Sequence, residues 1–393
     1  MHRECDYVLV GTGTAALICA KKLIEDGFDV ILLNPLNKFF KDNSETALDE
    51  NTFNVFQEKS SNQELQTWLD EQKSEKYLKI INPEFPGAVA LWPKAENDFY
   101  DLQTPRVFVR DRIWLFQKKQ NLREDLSGKG IRIVDGTTAV HMVPGVSKSK
   151  IDINHDFKGV LASSLCDVEI NKYQDGLLKF VEHKIGKLKI AYSVSKVEFQ
   201  NKTTEFYVNA QKNKILYRKR LILFLNSCII DSIAAVKKQL IKEIESHQLQ
   251  LNTYYSFLLK SKENISPRIM AIIENAAIYA HHYDENSKEI VLFWKKSKMP
   301  YARKSSLFNE LLSETDFQSV SKILENILGW QKFTILKFDL FNTIGWHEKP
   351  RVLQIKAGSD YVWAVTHTDG FLLNAIKSAH VAHESAYEGA MLR

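Results

Sequence analysis

The sequence predicts an α/β protein in which a parallel, nucleotide-type sheet is interrupted by a second, mainly antiparallel β-sheet. Three observations carry that expectation. A strand, glycine turn, helix and second strand open the chain between Asp6 and Asn34. Strand-like segments recur through residues 250–349, and the chain closes on a strand, Asp360 to Val365, that runs through a polar turn into a helix rich in small residues. Strands that alternate with helices belong to a parallel sheet, whereas a run of strands joined by turns belongs to an antiparallel one.

The opening unit is the most specific. Asp6-Tyr-Val-Leu-Val10 is a buried-strand pattern that ends in Gly11-Thr-Gly13-Thr-Ala-Ala16. Gly11 suits a tight turn, Gly13 lets a pyrophosphate approach the backbone at a helix N-terminus, and Ala16 is small enough for the helix to pack on the strand. The helix carries Ala16, Leu17, Ala20, Leu23 and Ile24 on one face and stops at Gly27, and Val30-Ile-Leu-Leu33 is the second strand. Asn34 follows 23 residues after Gly11, within the window of roughly 20 where an acidic residue usually holds a ribose hydroxyl. An amide oxygen can still accept that hydrogen bond, but it does not repel a 2′-phosphate. With Lys38 and Lys41 close behind, NADP stays open beside other dinucleotides. The candidate nucleotide-binding residues here are Gly11, Gly13, Thr14, Ala15, Ala16 and Asn34.

Later elements follow in order. A polar stretch from Asn37 to about Ser61 precedes a helix at 63–75. Phe85 to Trp92 and Thr104 to Arg110 read as strand pieces, and a helix is expected over Asp111 to Ser127, ending at Gly128 and Gly130. Strands begin at Ile131 and continue past the Val143-Pro-Gly145 turn. Asp167 to Ile170, a polar link, a helix from Gly176 to Gly186 and a strand at Leu188 to Tyr192 come next. The hairpin of 195–199 against 205–209 then leads to Arg220-Leu-Ile-Leu-Phe-Leu225, a final buried strand that returns to the nucleotide sheet beside Asn226. The middle segment brings strands at Tyr254 to Leu259, Ala277 to Tyr283 and Glu289 to Trp294, and a helix near Thr315 to Leu328. After Val365 the turn Thr366-His-Thr368-Asp369-Gly370 can aim amides at an anion or a ring edge. The expected boundaries are therefore 1–84, part of 125–249, and 350–393 for a discontinuous dinucleotide domain, with 85–124 and 250–349 forming a substrate domain.

Composition narrows the function class. A chain of 393 residues with 44% hydrophobic and 26% charged residues is ordinary globular material, and its length suggests roughly two to three domains. The net charge of +5 is dispersed, which disfavours nucleic acid as a partner. No run reaches the roughly 18 apolar residues of a membrane span, and the N-terminal residues lack a signal-peptide core. A cytoplasmic location is expected. Cys5, Cys19, Cys166 and Cys228 form no metal-binding spacing. His281 and His282 adjoin on a strand that sends them to opposite faces, so no metal is expected.

With these segments in place, the chain resembles the D-amino acid oxidase and glycine oxidase group of FAD-dependent oxidoreductases. The resemblance is sharpest at Asp6 to Asn34. It extends through Gly128 to Pro144, Asp167 to Ile170 with Leu177-Leu178, Leu221 to Asn226, Gly345-Trp-His-Glu-Lys-Pro-Arg351 and the helix after Gly370. It departs at Asn34, and at Asn226-Ser227 where a small glycine-bearing turn is usual. The resemblance implies a Rossmann-like FAD-binding domain with an inserted substrate sheet, FAD held also by Asn226, Thr368, Asp369 and Gly370, and hydride transfer from an amine or amino-acid-like small molecule to the flavin. A substrate carboxylate calls for an arginine fork. Arg351 is the favoured candidate over Arg106 and Arg112, with Trp346 and His347 beside it. Alternatives are an FAD monooxygenase, an NADP-linked dehydrogenase, or a flavoprotein-like binding or maturation partner without turnover. Oligomeric state is not specified by these features.

Overall fold

A computed structural model describes residues 2–11, 13–34, 56, 58–72, 107–117, 121–126, 131–136, 138, 157–168, 170–185, 190–191, 194–200, 202–208, 210–225, 250–261, 269–273, 278–284, 289–300, 318, 333–345, 351–357, 360–366 and 372–388. The chain opens with β1 (His2–Val10), α1 (Thr14–Glu25) and β2 (Val30–Leu33). Then come α2 (Asn62–Gln72), β3 (Val107–Gln117), β4 (Ile131–Asp135), β5 (Phe157–Val168) and α3 (Ile170–Ile185). They are followed by β6 (Ile190–Ala191), β7 (Val194–Gln200), β8 (Thr203–Val208) and β9 (Gln211–Phe224). The middle segment holds β10 (Gln250–Ser261), β11 (Ile269–Ile273), β12 (Ile278–Asp284), β13 (Glu289–Pro300) and β14 (Phe333–Gly345). β15 (Val352–Ala357), β16 (Asp360–Val365) and α4 (Leu372–Glu388) close the chain.

Two sheets result. The first runs β15-β16-β9-β1-β2-β6, with β7 and β8 continuing from β9 as an antiparallel meander. From β16 to β6 every pair is parallel, so the carboxyl ends of five strands share one edge. One face buries Tyr7, Leu9, Leu32, Ile222 and Phe224 under α1, α3 and α4; the other buries Val8, Val10, Ile31, Leu221 and Leu223 under Val194, Val197 and Phe206. Each strand thus supplies alternate residues to two apolar layers. The amides of Asp6 and Tyr7 both donate to the Asp29 carbonyl, at 2.8 and 3.1 Å. This local bulge lets Cys5 and Tyr7, two residues apart, face opposite layers. Nearly every α1 side chain is buried, because sheet, α3 and α4 surround it. Small residues at Ala15, Ala16 and Ala20 permit that crowding.

The second sheet runs β14-β10-β13-β12-β11-β3-β5-β4, antiparallel throughout except where β11 meets β3. It fits the expected mainly antiparallel insertion. The range 125–249 is shared between the sheets: β4 and β5 run in the second, whereas α3 to β9 run with the first. The reason is that β5 pairs along its length with β3 from Val107↔Val168 to Gln117↔Phe157.

Two expected helices are corrected. Residues 111–117 are strand, not helix, since β3 lies between β11 and β5 and both of its edges are paired. Val109, Ile113 and Phe116 recur at helical spacing, and sheet pairing overrides it. The second helix begins at Ile170 rather than Gly176, because Tyr173 extends the buried stripe of Leu177 and Val181 back by a turn. The helix expected at 63–75 is α2. Ser61 and Glu64 bond reciprocally at its start, with Ser61 N–H to Glu64 at 2.8 Å and Glu64 N–H to Ser61 at 3.2 Å. α2 seats Trp68 against Phe56 and Trp114, with ring centroids 5.1 to 5.7 Å apart. Arg123 ties that corner together, donating to Asp125, Asn62 and the carbonyls of Ser60 and Ser61. The segments expected at Phe85 to Trp92 and the helix near Thr315 to Leu328 lie outside the described residues, apart from Gln318.

Candidate active site at the carboxyl edge of the first sheet

Parallel strands β16, β9, β1 and β2 end side by side at Thr366, Leu225, Gly11 and Asn34. Backbone bonds fix this edge: Gly11 N–H donates to the Leu33 carbonyl at 2.9 Å, Leu225 N–H to Val365 at 3.0 Å, and Asn34 N–H to Ala191 at 2.8 Å. The Asn34 carbonyl accepts from Val194 N–H at 2.9 Å, so β6 and β7 hold Asn34 from one side. The asparagine is fully buried. In an open parallel sheet this edge is where ligands bind.

Gly11 has φ 124°, a conformation that a side chain would strain, and it turns the chain from β1 toward α1. Gly13 is different. It caps α1 with φ −67°, which any residue could adopt, and among the described residues a Cβ built on it meets no atom within 4 Å. Neither backbone conformation nor packing against the described residues requires glycine there. Gly13 brings no side chain to the helix terminus, and the first turn contains no acidic residue. Leu17 N–H to the Gly13 carbonyl, at 3.1 Å, is the bond that begins the helix, so the amides of Thr14, Ala15 and Ala16 precede it and carry the positive end of the helix dipole. Open space before an uncapped helix terminus is what an anionic ligand needs.

The opposite wall is built by Thr366. Its N–H donates to the Arg351 carbonyl at 3.1 Å, and its Oγ1 accepts Arg351 N–H at 3.1 Å. Its own carbonyl accepts the Ser378 hydroxyl of α4 at 2.7 Å. Arg351 is therefore brought to the carboxyl edge, beside the end of β16. Thr366 opens the turn that the sequence marks, whereas Ser378 carries no motif that sequence reading singles out; the available signal is a serine set among Ala375, Ala379 and Ala382 on the buried face of α4. Asn226, Trp346, His347, Thr368, Asp369, Gly370 and Arg106 lie outside the described residues, as do the side chains of Arg112, His281 and His282. Among the described residues there is no group of His, Cys, Asp or Glu able to hold a metal.

No protein-family model matches the sequence, and no curated protein matches it by sequence. Solved structures do match. L-proline dehydrogenase from P. horikoshii superposes with a TM-score of 0.60 at 11% identity, covering 99% of this chain and 95% of that one. The fold is that of the D-amino acid oxidase and glycine oxidase group. Glycine oxidase from Geobacillus kaustophilus gives 0.60 at 8% identity, covering 98% and 95%. L-alpha-glycerophosphate oxidase from Mycoplasma pneumoniae, a structure with FAD bound, gives 0.59 at 8% identity over 98% and 95%.

Proposed function

We propose that the protein is an FAD-dependent oxidoreductase that oxidises an amine or amino-acid-like small molecule. The observation that carries the reading is Gly13, a glycine that neither φ nor packing requires, facing open space at an uncapped helix terminus. A pyrophosphate fits that space and its charge fits the dipole. Gly11, Gly13, Thr14, Ala15 and Ala16 would hold the pyrophosphate, and Asn34 would accept a hydrogen bond from the ribose. The neutral amide accepts that bond more weakly than a carboxylate would. Asn226, Thr368, Asp369 and Gly370 complete the cofactor site in this reading. We read the first sheet with its three helices as the cofactor domain, the second as the substrate domain, and the cytoplasm as the location.

Bound FAD would supply the hydride acceptor. The chain's own contribution is placement: Arg351 would fix a substrate carboxylate through its planar fork, with Trp346 and His347 walling the pocket. Among the described residues no helix is long and apolar enough to cross a membrane. The glycerophosphate oxidase match keeps an alcohol substrate as the second reading, because glycerophosphate has no amine.

The test is the visible spectrum of the purified protein, before and after denaturation, followed by anaerobic addition of amino acids, secondary amines and glycerol phosphate. Flavin bands, release of FAD and bleaching by an amine are the expected results. Bleaching by the alcohol alone moves the assignment to the second reading. A colourless protein that takes up no FAD overturns both.

A further inference from the structure

We propose that Thr366 is a positioning residue for the substrate, acting through Arg351; this inference rests on the assignment of a substrate carboxylate to Arg351 above. Thr366 follows β16 directly and is buried, and Arg351 precedes β15 directly and is half-buried. The two strands pair antiparallel with Val352 opposite Val365 at the end of the register, so Arg351 and Thr366 stand opposite each other one step beyond it. In a continuing ladder a bonded pair exchanges two backbone bonds. One of them is present, Thr366 N–H to the Arg351 carbonyl at 3.1 Å. For the other, Arg351 N–H donates to the Thr366 hydroxyl at 3.1 Å, while the Thr366 carbonyl accepts the Ser378 hydroxyl at 2.7 Å. The Thr366 hydroxyl in turn donates to the Arg351 carbonyl at 3.2 Å. A side chain thus stands where the backbone would ordinarily serve.

That exchange makes the backbone position of Arg351 depend on which residue occupies 366. Every residue brings a carbonyl to a strand end, but a hydroxyl so close to the backbone comes only from serine or threonine. Valine has nearly the shape of threonine, suits a strand end as well, and would bury no hydroxyl. Packing and strand propensity therefore do not account for the threonine. Its bonds to Arg351 do. An arginine recognises a carboxylate through two parallel N–H bonds of a planar fork, a more exacting geometry than a point charge requires. The fork moves with the backbone that carries it, and holding that backbone in place beforehand removes part of the ordering cost of binding.

The experiment uses the full-length FAD-loaded protein, with acetate as the carboxylate probe titrated against the visible flavin spectrum. Wild type is compared with Thr366→Val, Thr366→Ser, Arg351→Lys and the double variant of Thr366→Val with Arg351→Lys. The expected results are about tenfold weaker acetate binding in Thr366→Val, recovery in Thr366→Ser, and FAD affinity retained in both. Arg351→Lys keeps the charge and loses the fork, and adding Thr366→Val to it should weaken acetate little further, because both changes act on one contact. Equal acetate affinity in wild type and Thr366→Val overturns the inference. A loss of the same size on both backgrounds also overturns it, since the effect then does not run through Arg351. So does a loss shared with FAD affinity and the thermal midpoint, which makes Thr366 a structural residue alone. If Thr366→Val does not fold, Thr366→Ala removes the same hydroxyl and faces the same outcomes. Wild type without a saturable acetate response, or acetate bound equally by wild type and Arg351→Lys, overturns the Arg351 assignment together with the inference and leaves the FAD reading standing. Protein that takes up no FAD removes all three.

Discussion

The two edges of the first sheet are built to opposite rules. At the carboxyl edge, α1 begins on a glycine that offers no capping side chain and faces open space. At the opposite edge, where β2 begins, helix ends are closed by the protein itself. α1 ends with Gly27 at φ 86°, its N–H on Ile24, and Phe28 N–H on the Leu23 carbonyl at 3.0 Å, the Schellman arrangement. The last carbonyls of α4 receive the Tyr7 hydroxyl, at Ala386, and the Arg220 guanidinium, at Ser385. Arg220 stacks on Trp363 at 4.3 Å, and His383 reaches Asp26 at 2.6 Å. Helix ends satisfied from within serve stability. A helix end left for something else to satisfy serves binding.

The contrast is broken most easily at Gly13. Gly13→Val should weaken FAD binding at least about 100-fold, roughly 2.7 kcal/mol, while the thermal midpoint of the apoprotein stays unchanged; a variant that binds FAD normally would sink the pyrophosphate assignment. Tyr7→Phe acts at the other edge and should do the reverse. Burial pushes the Tyr7 phenol up to about 12, against the opposing pull of Arg220, so it remains a donor at all ordinary pH values. Removing it strands a buried carbonyl, at a cost of about 1–3 kcal/mol in urea unfolding, with FAD affinity retained.

Gly27→Ala sharpens the comparison between glycines. A Cβ there also meets no atom within 4 Å, so any loss comes from positive φ alone, about 1 kcal/mol, and none of it should appear in FAD affinity. The smallest effect concerns Asp26. Burial works to raise its carboxyl, but hydrogen bonds from Tyr387 and His383, and the charges of His383 and Lys22, hold it below the usual carboxylate range. A depressed folded-state value means stability that is present above about pH 4 and lost as pH falls through the folded value. Asp26→Asn should therefore lower stability at neutral pH by a small amount, since both side chains are partly exposed, and leave it unchanged below the folded value, so that the acid limb flattens. An unaltered acid limb would show the pair to be idle.

How much of this was legible depends on sequence distance. β1, α1 and β2, with Gly11, Gly13 and Asn34, could be read because the strand-turn-helix-strand unit is local and each glycine has a nearby cause. The parallel return of β6 and β9 followed from chain order and handed connections. β3 was legible only at its start, Val107 to Arg110, because beyond it the apolar residues recur at helical spacing and the strand is decided by pairing with β5 and β11. The closed edge was invisible for a stronger reason: Tyr7 and its acceptor are 379 residues apart, Asp26 and His383 are 357 apart, and no local pattern marks either. Thr366 and Ser378 stand closer together, yet a hydroxyl bonding out of its own helix has no periodic signature.

The long reach of the Tyr7 bond also bears on how the protein is made. β1 and α1 emerge from the ribosome well before α4, for which their apolar face waits. Until then the first sheet has an uncovered layer, while the second sheet can close without it. We expect nascent chains stopped at residue 371 to be cut by protease within α1, and chains extended through residue 388 to resist; equal sensitivity of the two would contradict this order. A slow, non-local closure of this kind leaves early intermediates open to aggregation. The demand for chaperones during synthesis therefore falls on the residues most readily recognised in the sequence.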